Sequence, residues 1–315
     1  MGYDCVLIDS HTKDELLGGI NQSVLYEVRA EIYGCCVKLM TDSRPVRDRF
    51  AENFFFASQS IRSHGRLYVL HDALFPENTV RYDRGSKTVF LFNMTYYGWV
   101  KSIALGLCGD ILEDGHGIAS CHGACLDRNG EGFAIIGMSG AGKTTQTYGF
   151  LLDPSIRVIA DDWFFFRIFP DAALAYSSEK NFYIRADLAA AWPEFEPLMA
   201  RADFDEEGRA IVDLRYAIGK GRIFPLTTLR RILILTIEGE RAYRRVTTDE
   251  ALSILEENRY FNPHLLVKND YKTEIRREYY RQLLERVEIL TVARCETPGE
   301  TQELLRTIVR GYEKL

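Results

Sequence analysis

From Val24 to Val37 apolar and polar residues alternate with the period of strands, and "KTVFLFNM" is a short apolar run among turn-rich stretches such as "FPENTVRYDRGSK". "MTYYGWVKSIALGLCGDIL" reads as a helix. From Gly132 the pattern sharpens: "GFAIIG" predicts a short buried strand, "KTTQTYGFLL" from Lys143 a helix, and "RVIADD" from Arg157 another strand, a compact βαβ element. "FFFRIFP" and "AALAYSS" flank Pro170-Asp171 and predict a hairpin, while "RRILILTIEG" and "VEILTVARC" predict buried strands. The stretch "TPGETQELLRTIVRGYEKL" predicts a helix, with Thr297 as N-cap, Pro298 in the first turn and Glu300 completing a capping box. No internal repeat or low-complexity tract interrupts this order. An α/β chain in two parts is expected: a smaller α+β part over residues 1–110 and a P-loop domain over 111–315.

The turn between the first strand and helix of the βαβ element is "GMSGAGKTT", a complete Gly-x-x-x-x-Gly-Lys-Thr phosphate loop. Gly137, Gly140 and Gly142 supply the freedom that lets backbone N–H groups converge on phosphate oxygens, with Ser139, Ala141 and Thr145 in the same cradle. Lys143 is placed to reach the β- and γ-phosphates, and the Thr144 hydroxyl to ligate magnesium. Asp161 and Asp162 follow one helix later, at the carboxyl end of an apolar run, where an acidic residue completes such a metal site. The loop alone implies a bound nucleotide polyphosphate and leaves its fate open.

Composition narrows the setting. Apolar residues make up 46% and charged residues 27%, a globular balance, and the net charge of −6 argues against nucleic acid as partner, because backbone affinity needs a basic surface. Seven scattered cysteines are odd in number, unlike a secreted disulfide framework. The "CHGAC" cluster, Cys121 to Cys125, lacks a second ligand pair at zinc spacing and reads as buried thiols beside a functional histidine. No run reaches the roughly 18 apolar residues of a membrane span, and "MGYDCVLIDS" lacks the features of a signal peptide. A soluble cytoplasmic protein, with no membrane partner, is the expectation.

"CHGACLDRNGEGFAIIGMSGAGKTTQ" followed by "VIADD" resembles the core of the HPr kinase/phosphorylase and phosphoenolpyruvate carboxykinase superfamily, in which a His precedes a strand, the phosphate loop comes next, and an Asp-Asp pair comes after one helix. "AIVDLRYAIGKGRI" resembles a later stretch of both branches, so the likeness spans about residues 118 to 240. It implies the P-loop core fold of that superfamily. It places His122 near metal and γ-phosphate, Asp162 on the metal, Asp161 beside it as acceptor or base, and Arg215 on the transferring phosphate. Lys220 and Arg222 would add to this basic face, and Glu179 and Arg185 in "EKNFYIR", which resembles a carboxykinase segment, would frame an acceptor pocket. It also implies a homo-oligomer, because the relatives commonly form oligomers.

The departures matter equally. HPr kinase has an acid at the second loop position, where this chain has Met138; the additional metal-binding lysine and arginine clamp of carboxykinases are not found. The expected reaction is therefore phosphoryl transfer from ATP, with ADP or pyrophosphate as alternative donors and Mg2+ or Mn2+ as metal, to a hydroxyl. A small metabolite is preferred over a serine of a protein or peptide, and Asp161 or His122 is the base. The rival expectation is a regulatory nucleotide-binding module that has no acceptor.

Overall fold

The computed structural model describes residues 2–20, 22–138, 140–237, 242–257 and 261–311. The fold is mixed α/β, and the chain divides into two compact units, Met1–Ile118 with His264–Thr273, and Ala119–Pro263 with Glu274–Leu315. A single division after residue 110 would cut the helix Tyr97–His116, which runs unbroken to a left-handed Gly117 at its carboxyl end. The first unit also takes back a segment from the C-terminal half, so the chain crosses between units more than once.

The first unit is built on a seven-stranded mixed sheet. The alternation near its start folds as the antiparallel strands Tyr26–Ile32 and Cys35–Thr41, closed by Tyr33 and Gly34 with φ of 44° and 75°. Two successive positive φ values match the right-handed twist of the flanking strands, which is why such short hairpin loops favour them. Strands Cys35–Thr41, Gly65–Leu70 and Thr88–Phe92 run parallel in the middle of the sheet. The apolar run "KTVFLFNM" supplies the last of these strands, all five of whose residues are buried.

The returning segment is held by charge. Lys272 is 2% exposed, and its ammonium lies 3.0 Å from Glu113, 2.8 Å from Asp114 and 3.3 Å from Asp110, all on the last turns of the helix Tyr97–His116. Lys87 reaches Asp110 and Asp114 at 2.6 Å each, Arg84 reaches Asp114 at 2.9 Å, and the Tyr82 hydroxyl donates to Asp110 at 2.6 Å. Burial pushes the Asp114 carboxyl up, but hydrogen bonds from Lys272, Lys87 and Arg84 outweigh it and hold that carboxyl well below the usual range. Such a network explains how acidic residues are tolerated on a helix with 15 buried positions. Among the described residues no helix is long and apolar enough to cross a membrane.

The second unit carries a nine-stranded sheet, in which Ile156–Ala160, Ala124–Arg128, Glu131–Gly137, Leu226–Thr236, Ala173–Ser177, Trp163–Ile168 and Ile118–His122 lie side by side. Glu288–Ala293 runs parallel to Leu226–Thr236 and also pairs with Tyr243–Arg245. Phe182–Arg185 and Arg209–Val212 form a separate two-stranded sheet. Trp163–Ile168 and Ala173–Ser177 pair as the antiparallel hairpin expected around Pro170-Asp171. The apolar runs are continuous because both sheet faces are covered. Phe133, Ile135, Leu233, Leu235, Leu290 and Val292 join one core with Tyr148 and Leu305. Ala134, Ile136, Ile232, Ile234 and Ile289 join the other with Leu255 and Tyr280. Cys121 and Cys125 sit in this second core, where burial pushes the Cys121 thiol up to about 12.

Replacing Lys272 by Met is expected to remove the buried cation shared by Asp110, Glu113 and Asp114 and to destabilise the first unit by about 3–5 kcal/mol, read by urea unfolding. The depressed Asp114 carboxyl contributes stability that is present above its unfolded value of about 3.9 and lost as pH falls further, so the same substitution should shrink the acid limb of the stability profile.

Candidate functional site

Strand direction assembles the site. Ala124–Arg128 is antiparallel to Glu131–Gly137 on one side and to Ile156–Ala160 on the other. The two outer strands therefore point the same way, and their carboxyl ends emerge at the same sheet edge. Ala124 pairs with Ile135, and Cys125 with Ala160, so the chain enters the middle strand at that edge. His122 just before it, the phosphate loop after Gly137 and the Asp pair after Ala160 are thus brought together by the hydrogen-bond register.

The loop needs its glycines for two different reasons. A side chain at Gly137 would bring a Cβ to 2.7 Å from the Leu235 carbonyl, so this strand end approaches its neighbour as only glycine can. Gly140 and Gly142 have φ of 84° and 96°, values that L side chains rarely adopt. Gly142 is followed directly by the helix Lys143–Leu151, whose first-turn N–H groups and positive end face the loop. Ala141 is buried, and its N–H donates to the Met138 carbonyl at 3.1 Å. Ser139 lies outside the described residues.

Lys143, Asp162 and His122 form the electrostatic centre. The Lys143 ammonium donates to the Gly137 carbonyl at 2.9 Å and lies 3.4 Å from that of Met138. Burial lowers its pKa, with the Asp162 carboxylate and the Cys121 sulfur acting in the opposite sense. The His122 Nε2 is 3.2 Å from Asp162 Oδ1. Thr144 and Thr145 are half-buried on the first turn of the helix, and the Thr145 carbonyl accepts from the Trp192 indole at 2.7 Å. Asp162 and Thr144 are hard oxygen donors suited to Mg2+ or Mn2+. Among the described residues no cluster of three His, Cys, Asp or Glu side chains stands ready for a metal.

Asp161 faces differently from its neighbour. It is buried, and together with the buried Glu179 it acts on Tyr148 of the loop helix, whose pKa is driven far up by burial and then by these two carboxylates. The Tyr148 hydroxyl has no hydrogen-bond partner among the described residues. A tyrosine in the middle of a helix carries no sequence mark of such a position; only the fold places it beside two acids.

The basic residues separate into distinct surroundings. Arg215, at the start of the helix Arg215–Ile218, makes a two-pronged pair with Asp213 at 2.6 Å per arm and lies 3.5 Å from the Asn181 amide oxygen. Arg222 donates to the carbonyls of Ile156, Leu151 and Asp153 at 2.9, 2.8 and 2.7 Å. It thereby serves the carboxyl end of the loop helix, about 12 Å from the start of that helix at roughly 1.5 Å per residue. Arg185 closes the strand Phe182–Arg185 in an exposed pair with Asp187 at 3.0 Å, and Lys220 is exposed on the turn Lys220–Arg222. A further cation that no motif marks, Arg294, comes directly after the strand Glu288–Ala293, and its guanidinium is 3.5 Å from the Gly140 carbonyl. Its signal in the sequence is a basic residue immediately after an apolar strand that runs parallel to the loop strand.

Gly137→Ala should lower stability by about 1–3 kcal/mol, because the new methyl must displace the Leu235 backbone; equilibrium urea unfolding measures this.

No known protein family matches the chain, and neither does any curated protein. Among solved structures, the chain is similar to one described as the HPr(Ser) kinase/phosphatase from Coxiella burnetii, with 11% identity, coverage of 62% of this chain and 95% of that chain, and a TM-score of 0.37.

Proposed function

We propose that this chain is an ATP- and magnesium-dependent kinase with the P-loop core of the HPr kinase and carboxykinase superfamily, transferring a phosphoryl group to a hydroxyl, preferably of a small metabolite. The observation that carries the reading is the strand register that sets Lys143, Asp162 and His122 at one sheet edge. A bare phosphate cradle needs only the loop and its helix. A carboxylate that acts on the loop lysine and has a histidine 3.2 Å away is what transfer chemistry adds.

The acceptor oxygen forms a bond to the γ-phosphorus while the bridging bond to the β-phosphate oxygen breaks, and ADP departs. Loop N–H groups and Lys143 hold the polyphosphate in line. Thr144 and Asp162 would hold magnesium, which would supply positive charge to the polyphosphate. The acceptor proton passes to His122, since Asp161 is buried and turned towards Tyr148. Met138, 40% exposed at the loop, is an apolar side chain that cannot take a proton, so the base comes from outside the loop. In a loose transition state little deprotonation is required early, which makes this arrangement sufficient.

Lys143→Ala should abolish ADP binding in calorimetry. His122→Ala should keep nucleotide affinity near wild type while lowering transfer about 10²–10⁴-fold, measured with labelled ATP against a panel of hydroxyl metabolites and serine peptides. ATP hydrolysis by the wild-type chain without transfer to any of these acceptors would favour the regulatory module instead.

A further inference from the structure

The loop edge is charged asymmetrically. Asp161, Asp162 and His122 stand on the side of the strands Ala124–Arg128 and Ile156–Ala160. On the opposite side Leu226–Thr236 and Glu288–Ala293 run parallel to the loop strand, so their carboxyl ends open at the same edge. Arg294 leaves the outer of these strands, its backbone N–H donating to the Thr236 carbonyl at 2.9 Å. Its side chain is exposed and crosses towards the loop, where the Gly140 carbonyl is its neighbour at 3.5 Å. Among the described residues no carboxylate lies within ion-pair distance of it.

The residues after Arg294 fix its position. The Cys295 N–H donates to Thr301 Oγ1 at 3.0 Å, and the capping box of Thr297 and Glu300 starts the helix Pro298–Arg310. That helix is fastened to the loop helix: Gln146 donates to the Pro298 carbonyl at 3.1 Å and Arg306 to the Gly149 carbonyl at 2.7 Å. Arg294 and the phosphate loop are therefore parts of one packed assembly, and the arginine needs only a side-chain rotation to change partner.

We infer that Arg294 is a phosphate-binding residue of the nucleotide site, gripping the polyphosphate from the flank opposite the carboxylates. A carbonyl at 3.5 Å is a weak neutral partner, whereas phosphate oxygens accept two parallel charge-assisted hydrogen bonds from the guanidinium fork. Arg215, already paired twice with Asp213, would have to break that pair to do the same. The assignment rests on the nucleotide reading of the loop.

The test is calorimetric titration of the full chain, wild type, Arg294→Ala and Arg294→Lys, with ADP and separately with inorganic tripolyphosphate, both with magnesium. Arg294→Ala should weaken both ligands about ten- to a hundredfold, Arg294→Lys should recover part of the loss, and thermal unfolding without ligand should be unchanged. Wild-type affinity for ADP in Arg294→Ala would overturn the inference and leave the nucleotide reading intact. Loss confined to ADP would place the arginine on base or ribose and overturn the phosphate assignment. A wild-type chain that binds neither ligand would overturn the nucleotide reading itself.

Discussion

The strand Ala124–Arg128, hydrogen-bonded on both sides by antiparallel partners, is the constraint on which the site depends. Were its partner Ile156–Ala160 to pair in the opposite direction, the Asp pair would emerge at the far edge of the sheet. Its interior is secured by Asp127, buried and accepting from Thr227 Oγ1 at 2.6 Å and from the Gly130 N–H at 3.0 Å. The same carboxylate thus fixes the turn into the loop strand and ties the middle strand to Leu226–Thr236. Geometry at the loop is set by backbone pairing several residues away from any atom that would meet a nucleotide.

The remainder of the second unit protects this edge from movement. One core lies under the loop helix and the C-terminal helix, the other under the helices Thr248–Glu257 and Asp270–Leu284. Close contact between the loop helix and the C-terminal helix is enforced at Gly149, where a Cβ would meet the Gln302 side chain at 2.5 Å. Arg222 and Arg310 satisfy groups at the carboxyl end of the loop helix, the latter by a pair with Asp153 at 3.2 Å. Cations at that end complement the helix dipole while its positive end remains free for anions.

Much of this is legible in the sequence because the governing residues have fixed spacing. The phosphate loop, the helix after it, the hairpin around Pro170-Asp171 and the capped C-terminal helix all carry local signals that tertiary packing does not override. The strand Ala124–Arg128 is not legible as a strand, because "ACLDR" places a buried aspartate where an apolar residue would signal the sheet. The helix Asp270–Leu284 is hidden for a related reason. Its buried stripe includes Lys272, Arg276, Tyr280, Leu283 and Leu284, so charged residues open it and hydrophobic periodicity does not report it. Arg294 is inconspicuous because a basic residue after a strand is common; its meaning comes from strand order alone. A division of the chain after residue 110 misses a returning segment held by Lys272, a long-range ion network with no local signature.

The loop, Asp162, His122 and their common sheet edge are proposed to form one site for a nucleoside polyphosphate. A crystal structure of the full chain with a non-hydrolysable ATP analogue and magnesium tests it most directly. The expected result is the β- and γ-phosphates at the start of the helix Lys143–Leu151, with Thr144 and Asp162 on the metal and His122 beside the terminal phosphate. Polyphosphate bound elsewhere, or bound at the loop with Asp162 and His122 turned away from it, would contradict the account.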